Sequence, residues 1–312
     1  MKVVKSVQEY NSNKQSIVTI GTFDGIHLGH QKILKNLVKE SKKYNLESLV
    51  LTFENHPRKI LDKDFQLKLL TTNKEKIEIL EKIGIESIIF QTFDKEFSEL
   101  PGKDFVKKIL VDQLNIKKII IGYDHRFGKG RQCGIDDLIQ FGKEFDFEVE
   151  QISAEEVDEN KVSSTKIRNA ISNGDIITAN KYLGYEYSFS GKVIKGKQLG
   201  RTIGFPTANI MIAEVEKIIP KKGVYVVEGS WDGNKYQGMM NIGVKPTVDG
   251  HTLSVEVNFF DLDQDLYDKI VTIHLRKFIR EEKKFESLDY LKLQIQNDKV
   301  FAINYFNSVS NN

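Results

Sequence analysis

The chain has 312 residues, with 46 Lys and Arg against 44 Asp and Glu, so its net charge of +2 gives no global pull toward nucleic acid or an anionic membrane. The length exceeds one ordinary domain of roughly 100–200 residues, and 40% hydrophobic residues can fill two sizeable cores. A single cysteine, Cys133, excludes an internal disulfide; Met1–Ser6 lacks the apolar core of a signal peptide and no run approaches ~20 apolar residues, so a soluble, cytoplasmic protein is expected, with neither nucleic acid nor membrane as partner.

The first half alternates strand-like and helix-like runs. Ser16–Ile20 reads as a strand, followed by Gly21-Thr22-Phe23-Asp24-Gly25-Ile26-His27-Leu28-Gly29-His30 and a helix over His30–Tyr44 with apolar Ile33, Leu34, Leu37 and Val38. Ser48–Phe53 is a strand, Thr72–Lys82 a helix, Ser87–Phe90 a strand, Gly102–Leu114 a helix and Lys118–Gly122 a strand. A helix at Ile135–Glu144 and a strand near Phe147–Ile152 complete the series. Short, fully apolar strands alternating with helices predict a doubly wound parallel sheet covered on both faces. Ligands in such sheets bind beyond the carboxyl ends of the strands, where His27, His30 and the Gly122–Gly130 loop should converge. A strand, a glycine turn and a helix N-terminus also make a place for phosphate, since backbone N–H groups and the helix dipole favour negative charge there. Two imidazoles at that spot can donate to a phosphoryl group as its charge develops. A metal site on His27 and His30 is disfavoured because no cysteines or acidic cluster stand at the spacing zinc requires.

The pattern changes after about Tyr187. Ser188–Ile194, Gly223–Trp231, Lys235–Ile242, Thr252–Phe259 and Lys269–Leu275 are short β-type runs separated by Gly, Asp and Asn, spaced as in an antiparallel barrel or sandwich. Lys292–Val309 returns to helical periodicity. The expected domains are 1–183 and 184–312.

Gly21–Gly25 with His27-Leu28-Gly29-His30 resembles the signature of the HxGH nucleotidyltransferases, and more narrowly the FMN adenylyltransferase module of bacterial bifunctional riboflavin kinase/FAD synthetases. Three further stretches resemble that module in order: Thr52-Phe53-Glu54-Asn55-His56-Pro57, Gly122-Tyr123-Asp124-His125-Arg126-Phe127-Gly128, and Ser163-Ser164-Thr165-Lys166-Ile167-Arg168. His125 departs from the pattern by standing where many relatives carry Phe. The resemblance implies a Rossmann-like fold in which Gly21, Phe23, Asp24, Gly25, Gly29, Ser163, Ser164 and Thr165 bind ATP. In it His27, His30 and Arg168 act on the phosphates, and Asn55, His56, Pro57 and Asp124 face the flavin and ribose. Read from the residues alone, Ser163–Thr165 is a helix N-cap, Asp124 an Asx-turn residue, and His56-Pro57 a rigid loop.

Downstream, Gly191, Gly196, Gly200 and Gly204 with Lys192, Lys195 and Lys197 form a basic glycine-rich stretch suited to phosphate. Phe205-Pro206-Thr207-Ala208-Asn209 resembles the PTAN motif of riboflavin kinases. That likeness implies a β-barrel kinase domain with a C-terminal helix. Gly191, Gly196, Gly200, Pro206, Thr207 and Asn209 would bind ATP, and Thr207 and Asn209 would hold its Mg²⁺ through hard oxygen atoms. By the same resemblance Glu256 is the general base toward the riboflavin hydroxyl; as a lone strand residue it is an outward-facing carboxylate. Arg280, near Phe278 and Phe285, flanks the flavin or solvates a barrel edge. ATP, riboflavin and FMN are the implied substrates, and the reading leaves room for weak self-association. Rival expectations are a chain with one working activity, an adenylyl or cytidylyl transferase for another cofactor, and a flavin- or nucleotide-binding regulator.

Overall fold

A computed structural model describes residues 1–57, 60, 68–153, 162–196, 198–247 and 250–310; Lys197, expected in the glycine-rich stretch, lies outside them. The chain packs as two compact units, Met1–Ser164 and Thr165–Asn312. No helix among the described residues is long and apolar enough to cross a membrane.

The first unit is a six-stranded parallel sheet: β1 (Lys2–Val4), β2 (Ser16–Ile20), β3 (Glu47–Phe53), β4 (Ser87–Gln91), β5 (Ile116–Gly122) and β6 (Glu148–Ile152), in the order β1-β4-β3-β2-β5-β6. Helix α1 (Leu28–Tyr44) follows β2 and α2 (Asn73–Ile83) precedes β4; α3 (Phe105–Gln113) and α4 (Ile135–Phe145) flank β5. Alternate strand residues explain the two covered faces. Ile17, Val50, Ile88 and Ile120 pack with Leu34, Leu37 and Leu80 of α1 and α2. Their neighbours Val18, Leu49, Ile89 and Ile119 pack with Val106, Leu110 and Leu138 of α3 and α4.

Two features of this unit differ from the sequence expectation. β1, which was not expected, has only three residues, with Val3 exposed; it exists by pairing with β4, Lys2 opposite Ser87, and so carries no local signal. The expected helix at Gly102–Leu114 is a short turn, Gly102–Asp104, followed by the π-helical α3, whose end is marked by Leu114 N donating to the Ile109 carbonyl at 3.0 Å. The strand order reverses direction between β2 and β5, where the loops after Ile20 and Gly122 leave the sheet; in sheets of this kind ligands bind at such a switch point.

The second unit contains α5 (Ser164–Ser172, its first residue belonging to the first unit), α6 (Ile176–Leu183) and a closed barrel. The barrel strands are β7 (Ser188–Ile194), β8 (Ala208–Ile212), β9 (Gly223–Trp231), β10 (Asn234–Thr247), β11 (Gly250–Phe259) and β12 (Ile270–Arg280), ordered β10-β11-β8-β7-β12-β9. All these pairings are antiparallel, and closure removes exposed edges. β8, hidden within the stretch read as a phosphate loop, supplies the closing step between β7 and β11. α6 was also not expected; the Asn180 side chain ties it to β12 by donating to the Leu275 carbonyl at 2.9 Å and accepting from Tyr187 N at 2.8 Å.

Helix α7 (Leu288–Ser310) packs Ala302 and Phe306 on Val226, Met239 and Phe260. It is fixed by Asp298, 3% exposed, which accepts from Arg280 Nε at 2.9 Å and Nη2 at 2.7 Å. The remaining Arg280 nitrogen, Nη1, donates to the Glu281 carbonyl at 2.9 Å. Arg280, expected to flank the flavin or to solvate a barrel edge, holds a helix to the barrel with its whole guanidinium. Breaking a buried pair of this kind costs about 3–5 kcal/mol.

Candidate active sites

The loop between β2 and α1 is held in a conformation its residues resist. Phe23 and Ile26 have φ of +46° and +34°, and Gly25 between them has +86°. Left-handed backbone is rare for an aromatic and more so for a β-branched residue, so tertiary bonds must hold it. Asp24 Oδ1 accepts from Leu70 N at 2.9 Å and from Thr71 N at 3.0 Å, and Gly25 N donates to Thr71 Oγ1 at 2.9 Å. Lys76 Nζ donates to the Thr22 carbonyl at 2.8 Å, and Gln31 Nε2 to that of Ile26 at 2.9 Å. Ser164 Oγ donates to the Asp24 carbonyl at 2.9 Å. The Asp24 carboxylate is therefore engaged in shaping the loop. Phe23 is 3% exposed and packs edge-on against His30, and a Cβ on Gly21 would come within 3.2 Å of its ring.

This loop delivers His27 as the N-cap of α1 and His30 in its first turn, with Gly29 buried between them. The two imidazoles stack with centroids 3.8 Å apart and planes inclined 15°. Burial lowers the His27 pKa to about 4 against the opposing pull of Asp24. Burial, with His27 and Lys76 adding positive charge, holds His30 well below the ordinary histidine range. Both rings are neutral near pH 7. His27 Nδ1 accepts from His30 N at 3.4 Å, which leaves Nε2 as its proton-bearing atom. His30 Nδ1 is enclosed with no hydrogen-bond partner among the described residues. A pair of neutral donors at a helix N-terminus suits a group whose negative charge grows during reaction.

The other expected residues of this unit fall into place unevenly. Asn55 follows β3 and spends both ends of its carboxamide on Phe93, donating to the carbonyl at 2.9 Å and accepting from N at 2.9 Å. His56 and Pro57 are half-buried beside it. Asp124 is exposed at the mouth of the loop after β5, in a turn closed by His125 N donating to the Gly122 carbonyl at 3.2 Å. His125 stacks on Phe127 at 6.0 Å, as a phenyl ring would, and burial lowers its pKa to about 4. Ser163 precedes α5 and Ser164 opens it; Thr165 and Arg168 lie in its first turns, within the second unit.

The barrel carries a second set. Glu256 on β11 is in register with Asn209 on β8 and with Asn241 on β10. Its Oε2 accepts from Thr207 Oγ1 at 3.1 Å and its Oε1 from Ser254 Oγ at 3.3 Å. Asn258 Nδ2 donates to the Pro206 carbonyl at 2.7 Å, fixing the entry to β8. Ser254, Glu256 and Asn258 form the polar face of β11, opposite buried Val255 and Val257, and this face lies beneath the Pro206–Asn209 segment. Ser254 and Asn258 carry no motif of their own; their period-two polar pattern was the available signal.

The glycines here make room. A Cβ on Gly196 would lie 2.2 Å from Asn209 Nδ2 and 2.7 Å from its Oδ1; one on Gly200 would lie 2.2 Å from the Phe205 carbonyl oxygen; one on Gly191 would lie 2.5 Å from Ile210 Cγ2. Gly196→Ala should therefore displace the Asn209 amide, and the riboflavin kinase activity that the sequence resemblance implies for this unit should fall by about 10–100-fold, as expected for an ångström-scale misplacement. Adenylyl transfer assayed on the same preparation should not change; equal loss of both would point to general misfolding instead.

Two family models match the chain: FAD synthetase over residues 9–166 and riboflavin kinase over residues 183–306. Bifunctional riboflavin kinase/FMN adenylyltransferases from Buchnera aphidicola subsp. Acyrthosiphon pisum, Escherichia coli K12 and Bacillus subtilis are 39%, 36% and 37% identical to it. The matches cover 98%, 98% and 95% of this chain and 99%, 98% and 94% of theirs. The alignments extend over 313, 309 and 302 residues. The crystal structure of a macrolide-efflux protein from Streptococcus pneumoniae superposes with a TM-score of 0.89 at 33% identity, covering 97% of this chain and 98% of that one. With the relatives matched from end to end, and a parallel-sheet unit followed by a closed barrel in the order of the two models, the chain belongs to the family of bifunctional riboflavin kinase/FMN adenylyltransferases.

Proposed function

We propose that the chain makes FMN from riboflavin at the barrel and FAD from FMN at the parallel sheet, using one ATP in each step. The observation that carries this reading is the presence of two separate donor sets, each built within its own unit: stacked neutral His27 and His30, and Glu256 with Thr207 and Asn209. The functional division we propose, 1–183 and 184–312, is supported by the riboflavin kinase match beginning at residue 183. The pneumococcal protein is named for macrolide efflux; both family models and both donor sets favour synthesis.

At the barrel, Glu256 accepts the proton of the riboflavin 5′-hydroxyl as that oxygen bonds to the γ-phosphorus and the bond to ADP breaks. Thr207 and Ser254 hold the carboxylate in one orientation. Phosphoryl transfer of this type depends mostly on positioning and charge stabilisation. Mg²⁺ bound with ATP would neutralise phosphate charge. The hydroxyl of Thr207 and the carboxamide oxygen of Asn209 are hard donors that fit it, and Gly196 leaves the carboxamide its space. Among the described residues no cluster of three or more His, Cys, Asp or Glu could hold a metal, so this ion would take most of its ligands from phosphate and water. Gly191 and Gly200 keep the backbone close around the nucleotide.

At the sheet, an oxygen of the FMN phosphate attacks the α-phosphorus of ATP and the bond to pyrophosphate breaks. No protein base is required, because the attacking phosphate is already anionic. His27 and His30 donate to the pentacovalent phosphate, aided by the helix N-terminus, and Gly21, Gly25 and Gly29 let the backbone approach. Ser163 and Ser164 take the pyrophosphate role that the family resemblance gives them, and Asn55–Pro57 and Asp124 border the flavin and ribose side.

Incubation of the purified chain with riboflavin and Mg-ATP should yield FMN first and FAD second on chromatography, with pyrophosphate released only in the second phase. Absence of both flavin products would overturn the reading.

A further inference from the structure

Helix α2 buries a lysine where its stripe calls for an apolar residue. Lys76 is 5% exposed and stands one turn before Leu80, 0% exposed, on the face that meets the sheet. Its Nζ donates to the Thr22 carbonyl at 2.8 Å and to Thr52 Oγ1 at 3.4 Å, and lies 5.9 Å from the centre of the Phe90 ring. Thr52 Oγ1 itself donates to the Thr22 carbonyl at 3.3 Å. Burying an ammonium is costly, and an apolar side chain would serve packing better. The location suggests what the cost achieves. Leu70 and Thr71, just before the Thr72–Glu75 capping box of α2, hold Asp24 and Gly25, and Lys76 holds Thr22. Segment 70–76 thus grips the strained loop on both sides of Phe23.

We propose that protonated Lys76 is a positioning residue for adenylyl transfer: it pins the Thr22 carbonyl so that the loop presents His27 and His30 together, and it sets a fixed positive charge behind them that favours the anionic transition state. This rests on the reading of the histidine pair as the adenylyl-transfer site. In this role Lys76 acts through the loop and its field.

The groups facing Lys76 are Asp24 and Thr22 from the loop, His30 from α1, Thr52 from β3 and Phe90 from β4; the nearby Glu75 on its own helix is engaged in the capping box. Burial lowers the Lys76 pKa to about 8, and Asp24 opposes that shift. The sign follows directly: the ammonium is present below about 8 and lost above it. Both histidines are neutral throughout that range, so they contribute no limb there.

The test follows kcat/KM for FAD formation from FMN and Mg-ATP against pH, with FMN formation by the same chain as the reference. FAD formation should fall above about pH 8 while the kinase reaction does not fall with it. Lys76→Arg, which cannot lose its charge in this range, should move that limb upward by more than one pH unit. Lys76→Met should lower kcat for FAD formation by about 10–100-fold, with KM for ATP changed less than about threefold and no alkaline limb. A Lys76→Met enzyme with the parent kcat, or a Lys76→Arg enzyme whose limb stays in place, would overturn the proposal. Should Lys76→Met fail to fold, the parent and Lys76→Arg profiles decide alone. His30→Ala run in parallel separates two failures. If it still makes FAD, the site reading falls; if it does not and the Lys76 variants behave as the parent, only the role of Lys76 falls.

Discussion

Replacing His30 with alanine is expected to cut FAD formation by about 10²–10³-fold while riboflavin phosphorylation continues at the parent rate, so that FMN accumulates. The magnitude is that of removing one preorganised donor from a developing oxyanion. His30 is placed to have such an effect because its ring is stacked on His27 at 3.8 Å and buttressed by Phe23 at 5.3 Å. Neither ring must lose a proton before donating, since burial already keeps both neutral. The variant also loses an aromatic contact with the strained loop, so thermal unfolding should be recorded beside the rates. Retained FAD synthesis would remove the histidine pair from the chemistry.

Glu256→Gln is expected to show the opposite split, lowering FMN formation by about 10²–10⁴-fold, the usual contribution of a general base, and leaving FAD synthesis from supplied FMN intact. Glutamine keeps the length and shape of the side chain. It can still accept from Thr207 or Ser254 through one oxygen, so the barrel should stay folded. What it cannot do is take a proton. The two variants together test whether each unit works from its own donor set. Loss of both activities in both variants would contradict two independent sites.

The parallel sheet was readable in advance because each main strand is buried on both sides and written as a continuous apolar run, with striped helices between. β1 escaped because three residues at a sheet edge have no periodicity, and β8 because its residues also spell a kinase motif. α6 does announce itself, with Asp175 accepting from Thr178 N at its start and Gly184 left-handed at its end, but it falls where the change of pattern suggested a boundary. Among candidate site residues, those that carry chemistry by type were visible: imidazoles beside glycines, a hydroxyl and a carboxamide after a proline. The braces were not. Leu70 and Thr71 act through backbone amides, Lys76 reaches Thr22 across 54 residues and Asn258 reaches Pro206 across 52. Arg280 offered two readings, a flavin contact or a solvated barrel edge, and neither named Asp298, its ion-pair partner 18 residues on.

The same long reach orders events during translation. The loop bearing His27 and His30 is made well before its partners: β2 acquires its second neighbour only when Ile116–Ile119 follow it out of the ribosome, and the Asp24 carbonyl finds Ser164 across 140 residues. Contacts so far apart close late, after the entropy of a long loop has been met. A nascent chain therefore carries the His27–His30 segment unshaped until nearly all of the first unit has been made.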